Sequence, residues 1–356
     1  MRTVSIIILS IVAGFAAGCT VSRQDLCPEN SEYASFFDLV YKDDLVGIVT
    51  ISAFRSEADT LWLDGPKDRF VCMSSSHVAA LSAIGAISSV KGVSGLKYIS
   101  DPLLDKDVVV DVGYDASLDY EAIISLKPDL LVTYAVGGAE PMYVAKLRSL
   151  GVKTLILHDH LENHPLARAE YIRLFGALTG RLHEADSIYS DIRDRYNSLA
   201  EDVERKENIK VLINVPYGDA WYIPGKDGYM SKLVEDAGGE ILGAVSGTSA
   251  SSLISMEKAY EYSMQASMWL NPGSFSTRDE LVKSHHMFRY FGPIVNDLPI
   301  YNNIGCVNEY GGNDFWEHGA VRPDLILQDL IYIMDQVEAG TKKDSLQGNL
   351  LFHIAL

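Results

Sequence analysis

Residues 118–134 read LDYEAIISLKPDLLVTY, and this stretch decides the fold class. Leu118, Ile123, Ile124 and Leu126 share one side of a short amphipathic helix. The pair Lys127-Pro128 must end it, because proline disfavours helical backbone in the residue before it. An apolar strand over 130–134 then runs into Gly137 and Gly138. The strand's carboxyl end therefore delivers Tyr134 and a glycine loop to one edge of a parallel sheet. Open α/β sheets bind their ligands at that edge.

The same alternation extends in both directions. Residues 36–71 read as β structure (FFDLVY, LVGIVTI, TLWLDG), with turns at Lys42-Asp43-Asp44 and Gly65-Pro66. This small β hairpin region leads into RFVCM, a strand, and SSSH, which opens the helix VAALSAIGAI. With the 118–134 unit, a helix over 141–149 and a strand over 152–157, the segment 36–165 forms an N-terminal α/β lobe. Its sheet is parallel and covered by helices.

Residues 166–206 break the pattern into connecting helices. PLARAEYIRLFGALTG is interrupted at Gly180, and RLHEADSIYSDIRDRYNSLAEDVER places Ile188, Ile192, Tyr196 and Leu199 on one face. A helix of about 24 residues is roughly 36 Å long, enough to run along two domains. Alternation resumes over 207–338 as a C-terminal α/β lobe, in which KVLINV is a strand and GDAWYIPGKDG a loop. Residues 339–356 read as a tail. The predicted fold is α/β: two Rossmann-like lobes with parallel sheets, joined by a long rigid helix.

Composition narrows the function. The formal net charge is −18 with no clustered Lys or Arg, which excludes nucleic acid as a partner. Residues 1–18 carry Arg2, an apolar run over 4–13 and Phe15-Ala16-Ala17-Gly18 before Cys19, the pattern of a signal peptide. The run is shorter than the roughly 20 apolar residues that span a bilayer. Cysteine directly after Ala-Gly resembles a bacterial lipoprotein signal, although Ala16 stands where such signals carry leucine. That resemblance implies acylation of Cys19, a tether over 19–35 and membrane anchoring through acyl chains. Cys27, Cys72 and Cys306 cannot all pair, and Cys72 lies in an apolar strand as a small buried thiol.

The KPDLLV segment before a glycine loop resembles the periplasmic solute-binding proteins of ABC importers for iron chelates, haem and cobalamin. The resemblance covers roughly residues 70 to 335. It implies a non-enzymatic monomer of the periplasm or cell envelope, with cargo held between the lobes and delivered to a permease and its ATPase. In that family one glutamate on each lobe meets permease arginines. The matching positions are Glu140 in GGAEPMYVAKL and Glu257 in SLISMEKAY. On their own, both read as solvated glutamates at helix starts.

Loops at strand ends supply the expected ligand-binding residues. Ser75, Ser76 and His77, after Ser74, begin a helix whose free backbone N–H groups suit an oxygen-rich ligand; capping by one serine is the ordinary alternative. Tyr114 and Tyr134 on the first lobe face Tyr217, Trp221 and Tyr222 on the second, and later loops add Arg289 and Trp316. Aromatic faces are rigid and bury much area, so they grip a bulky ligand. GGNDFWE…RPDL, around Trp316, resembles lipoproteins that bind iron complexes, while Arg322-Pro323-Asp324 reads as a helix start.

A ferric siderophore is the expected cargo, with cobalamin or haem as alternatives and His77 as a candidate axial ligand for haem. The chelate supplies the iron's ligands, so no protein metal site or cofactor is expected. A rival reading places zinc or manganese on His158, Asp159, His160 and His164 of HDHLENH. The sequence has no G-x-S-x-G elbow after a strand and no nucleotide-type glycine pattern.

Overall fold

The computed structural model describes residues 30–43, 45–54, 57–136, 140–204, 209–340 and 350–356. The expected signal peptide, Cys19, Cys27 and the glycines Gly137 and Gly138 lie outside the described residues.

Three strands, β1 (Phe37–Lys42), β2 (Leu45–Ile51) and β3 (Ala58–Trp62), form an antiparallel meander, one strand more than a hairpin. Phe37 turns inward against Tyr171, ring centroids 4.5 Å apart. Residues 30–35 correct the expected tether, because they are bound to the body. The buried Glu170 carboxylate accepts the amides of Glu32, Tyr33 and Ala34 at 2.8–2.9 Å. Glu162, also buried, accepts those of Ser35 and Phe36. A buried carboxylate must find donors, and here the incoming backbone supplies them.

The first lobe is a parallel five-stranded sheet, β4 (Phe70–Cys72), β5 (Val90–Val93), β6 (Val110–Asp111), β7 (Leu130–Tyr134) and β8 (Thr154–Leu157), in the order β6-β5-β4-β7-β8. Helices α1 (Ser75–Ala83), α2 (Tyr120–Leu126) and α3 (Met142–Ser149) cross between strands. The helix-to-strand unit follows the expected local logic. Asp119 caps α2 by accepting the Ala122 amide, and Lys127 ends it in the left-handed conformation (φ 46°) ahead of Pro128.

Between the lobes, Gly180 (φ 70°) divides two antiparallel helices, α4 (Pro165–Thr179) and α5 (Leu182–Glu201). The connecting helices interrupted at Gly180 thus fold back on each other as a hairpin, and the long helix of the pair is α5. At Gly176 a β-carbon would meet that of Ala185 at 2.3 Å, so the two helices approach where a side chain is missing. The helix buried on almost all sides is α4, which packs on α1 of the first lobe and on elements of the second. The longer α5, roughly 30 Å at 1.5 Å per residue, lies outside it.

The second lobe holds β9 (Ile209–Ile213), β10 (Trp221–Ile223), α6 (Tyr229–Asp236), β11 (Gly239–Ile241), β12 (Ser252–Ile254), α7 (Met256–Ser263), β13 (Met268–Leu270), α8 (Arg278–Ser284), α9 (Gly292–Val295), β14 (Ile300–Asn302), α10 (His318–Val321), α11 (Pro323–Glu338) and β15 (Ile354–Ala355). Its sheet runs β11-β9-β13-β14-β15, parallel except for β15. The expected tail is thus partly an edge strand. Asp329 accepts the amides of Leu351, Phe352 and His353, and Phe352 is buried. One hydrophobic core runs from the leading meander through α4 and α5 into the second lobe. Packing of that density resists wide hinge opening.

Candidate functional site

A cleft of about 410 Å³ opens at the carboxyl ends of the first lobe's strands. Its floor is Met73 and the serines 74–76 after β4, with Ser94 after β5. Tyr114, Tyr134 and His160 form its aromatic wall, Arg168 reaches in from α4, and Trp316 and Ala320 close the far side. Ser74 makes no side-chain cap on α1. Its hydroxyl lies 2.8 Å from that of Ser76, which donates to Asp159 at 3.0 Å.

Asp159 organises the floor. His77 approaches it to 3.5 Å from behind, buried and ring-packed on Phe175. Burial disfavours the charged carboxyl, yet His77, Arg168 and His160 together hold it well below the usual carboxylate range. The Arg168 guanidinium donates to the His160 carbonyl at 2.7 Å and lies 4.1 Å from the centre of the Tyr229 ring, while its Nε is buried without a partner. Burial lowers the His160 basicity and raises the Tyr134 hydroxyl. The cleft thus combines a carboxylate and a guanidinium, several hydroxyls and rigid aromatic faces. Ser76 is bonded to a carboxylate rather than an imidazole, so this is not the nucleophile–base pairing of a hydrolase.

Ser75, Ser76, Tyr114, Tyr134 and Trp316 meet at this cleft as the sequence suggested. Five expected residues do not. Trp221 is 1% exposed, in a strand rather than a loop. Its indole donates to the Ile213 carbonyl and its ring stacks on Trp269 and Phe291. Strand alternation points Trp221 and Ile223 inward and Tyr222 outward. Tyr217, Tyr222 and Arg289 are exposed and stand outside the cleft lining. His77 supports Asp159 from behind the wall and is too buried to serve as an axial ligand without rearrangement.

The histidine-rich segment also resolves. His158 packs edge-on against Phe36 and Phe54, His164 caps α4 by accepting the Leu166 amide, and His160 faces the cleft. The three rings sit in different environments, and they do not form a set of ligating atoms within 4.8 Å of one another. Asp159 and His160, read from the sequence as rival metal ligands, and Arg168, not singled out there, are the charged and imidazole side chains of the cleft. Their signal was position, two of them directly after the strand at 154–157 and the third a lone cation in the apolar stretch PLARAEYI.

Glu140 precedes α3 and pairs with Arg148 at 2.8 Å. Glu257 is exposed in the first turn of α7, its carboxyl held low by the Ser255 hydroxyl. Glu140 follows β7 on the first lobe, and Glu257 lies ahead of β13 on the second.

Two α/β lobes braced by a buried helix hairpin, with a cleft at the strand ends, define a solute-binding protein. The chain belongs to the periplasmic binding protein family, which matches residues 71–292; this family comprises binding proteins rather than enzymes, works outside the cytoplasm and hands its ligands to ABC permeases. Among relatives, an uncharacterised lipoprotein of Methanocaldococcus jannaschii is 26% identical over 230 residues, covering 64% of this chain and 52% of that protein. A cobalamin-binding protein of Halobacterium salinarum is 26% identical over 150 residues, 42% of this chain and 39% of its own. The chain thus matches about half or less of each relative's length. Similar solved structures include a possible iron-binding protein of Staphylococcus epidermidis (TM-score 0.58, 18% identity, 75% of this chain and 98% of that one). The vitamin B12-binding protein of Vibrio cholerae gives a TM-score of 0.56 at 16% identity over 77% of this chain and 98% of its own. The periplasmic haem-binding protein of the same organism gives 0.57 at 18% identity over 74% and 98%. At such identities the likeness is one of fold.

Proposed function

We propose that this chain is the cargo-binding lipoprotein of an ABC importer, capturing a ferric siderophore in the cleft at the ends of β4, β5, β7 and β8. The observation that carries the reading is the cleft's lining: serine hydroxyls and the free Nε of Arg168 at the floor, with Tyr114, Tyr134, His160 and Trp316 around it. Hydroxyls and a guanidinium suit the oxygen-rich edge of a chelate, and aromatic faces suit its bulk. The chelate itself satisfies the iron, so the protein contributes shape and polar contacts. Loaded protein docks on its permease through Glu140 and Glu257, and Cys19 carries the lipid that holds the chain at the membrane as a monomer.

A second reading, cobalamin as cargo, is favoured by the Halobacterium salinarum relative. The experiment that separates them is a fluorescence titration of the purified protein with ferric hydroxamates, ferric catecholates, cyanocobalamin and haemin. Saturable quenching by a ferric siderophore is expected. Binding of cobalamin or haemin alone would move the cargo assignment, and binding of none would overturn it.

A further inference from the structure

The segment that carries Trp316 into the cleft also ties the two lobes together. It leaves the second lobe after β14 and stays rooted there, since Phe315 is buried against Phe352 and His353. Its next residues cross to the first lobe, to the loop between β5 and β6. The buried Glu317 carboxylate accepts the amides of Ser100 and Asp101 at 2.8 Å each. His318 bridges Asp101, at 3.1 Å, and Asp314, so one imidazole sits between a carboxylate of each lobe. Asn308 donates to the Lys97 carbonyl at 3.1 Å. At Gly312 a β-carbon would lie 1.9 Å from the Tyr98 carbonyl oxygen, so the contact is as close as glycine permits.

We propose that Glu317 and His318 are positioning residues that latch the lobes together and set Trp316 against the cargo. The helix hairpin α4–α5 joins the lobes covalently and packs between them, which leaves small rotations about it as the remaining freedom. A second, polar joint far away in sequence removes that freedom. Because Trp316 immediately precedes the two latch residues, any loosening of the latch moves the aromatic face that meets the ligand.

The cluster Asp314, Glu317 and His318 has the composition of a cation site, and its ligating atoms lie within 4.8 Å of one another. Its bonding argues for the latch instead. Both Glu317 oxygens already accept backbone amides, and both His318 nitrogens face carboxylates. The two flanking carboxylates raise the His318 basicity to about 10, so the imidazolium itself supplies the positive charge.

The role given to Trp316 rests on the cargo reading above, whereas the latch is testable in cargo-free protein. Spin labels at Glu121→Cys and Glu240→Cys, in a Cys19→Ser/Cys27→Ser/Cys306→Ser background that keeps only the buried Cys72, report the distance between lobes. Glu317→Gln and His318→Asn should each broaden that distribution without cargo, and an unchanged distribution in folded variants overturns the latch. Should either variant fail to fold, amide exchange in the otherwise unaltered protein decides the same point. Slow exchange at Ser100 and Asp101 is expected, and exchange at the rate of exposed loops overturns it. For positioning, Glu317→Gln should weaken binding of the ferric siderophore about tenfold when Trp316 is present and less than about twofold beside Trp316→Ala. Equal losses in both backgrounds would reduce Glu317 to a structural role. If no siderophore binds the parent protein, the cargo reading fails while the spin-label result still judges the latch.

Discussion

Tyr134 and His160 meet edge to face, ring centroids 5.6 Å apart, at the ends of neighbouring parallel strands. The pairing of β7 with β8, Tyr134 opposite Leu157, fixes this geometry. A rigid aromatic corner results, supported from beneath by Asp159 and Arg168, and the cargo is expected to seat against it.

Tyr134→Ala and Trp316→Ala should each weaken cargo binding by about 1–3 kcal/mol, the usual range for an aromatic anchor. Trp316 is 46% exposed, so its loss should leave thermal stability nearly unchanged. Titration calorimetry beside thermal unfolding tests both statements.

Trp221→Ala should behave in the opposite way. Its ring is enclosed by Trp269, Phe288 and Phe291, so truncation should cost about 3–5 kcal/mol of stability through the cavity it leaves. Denaturant unfolding measures this, and a drop in cargo affinity with stability intact would contradict it.

Glu140→Arg with Glu257→Arg should abolish uptake by intact cells while leaving cargo affinity alone. Glu140 also bonds Arg148, so the swap Glu140→Arg/Arg148→Glu is the informative control. It keeps a local ion pair, worth little at this exposure, yet presents the wrong charge at residue 140. Uptake restored by the swap would assign Glu140 a purely internal role.

His318 should make stability pH-dependent on the alkaline side. Hydrogen bonds to Asp101 and Asp314 raise its pKa from 6.5 to about 10. The folded state therefore holds a proton that the unfolded chain releases sooner. This contribution is complete below pH 6.5 and disappears as pH rises to about 10. Thermal midpoints of the parent should fall over that window more steeply than those of His318→Asn. Parallel slopes would contradict the assignment.

Cys19→Ser should move the protein from the membrane fraction to the soluble fraction of fractionated cells. Retention in the membrane would remove the lipid anchor from the proposal.

Much of this architecture was legible in the chain. Lys127-Pro128 stops α2 because proline acts on its immediate neighbour, and Gly180 breaks the connecting helices because it adopts φ 70° at little cost. Ser75, Ser76, Tyr114, Tyr134 and Trp316 line the cleft because strand-end position is a local property. The misplacement of Trp221 has an equally physical origin. GDAWYIPGKDG has the glycine and proline content of a loop, yet three of its residues pair with β12, and whether a partner strand lies alongside is not a local fact. The carboxylates tell the same story: Glu162 and Glu170 look like surface residues until the segment 30–36 is laid over them.

By itself the sequence determined the alternation of strand and helix, the places where each must end, and hence the sheet edge at which the cleft opens. Those features follow from periodicity and from proline and glycine geometry, which act over a few neighbouring residues. Only the tertiary structure decided which aromatics face the cleft and how the lobes are joined. Glu317 bonds the Ser100 amide across 217 positions of sequence. A side chain's exposure, charge state and partners depend on what distant segments bring to it, and no local pattern records that.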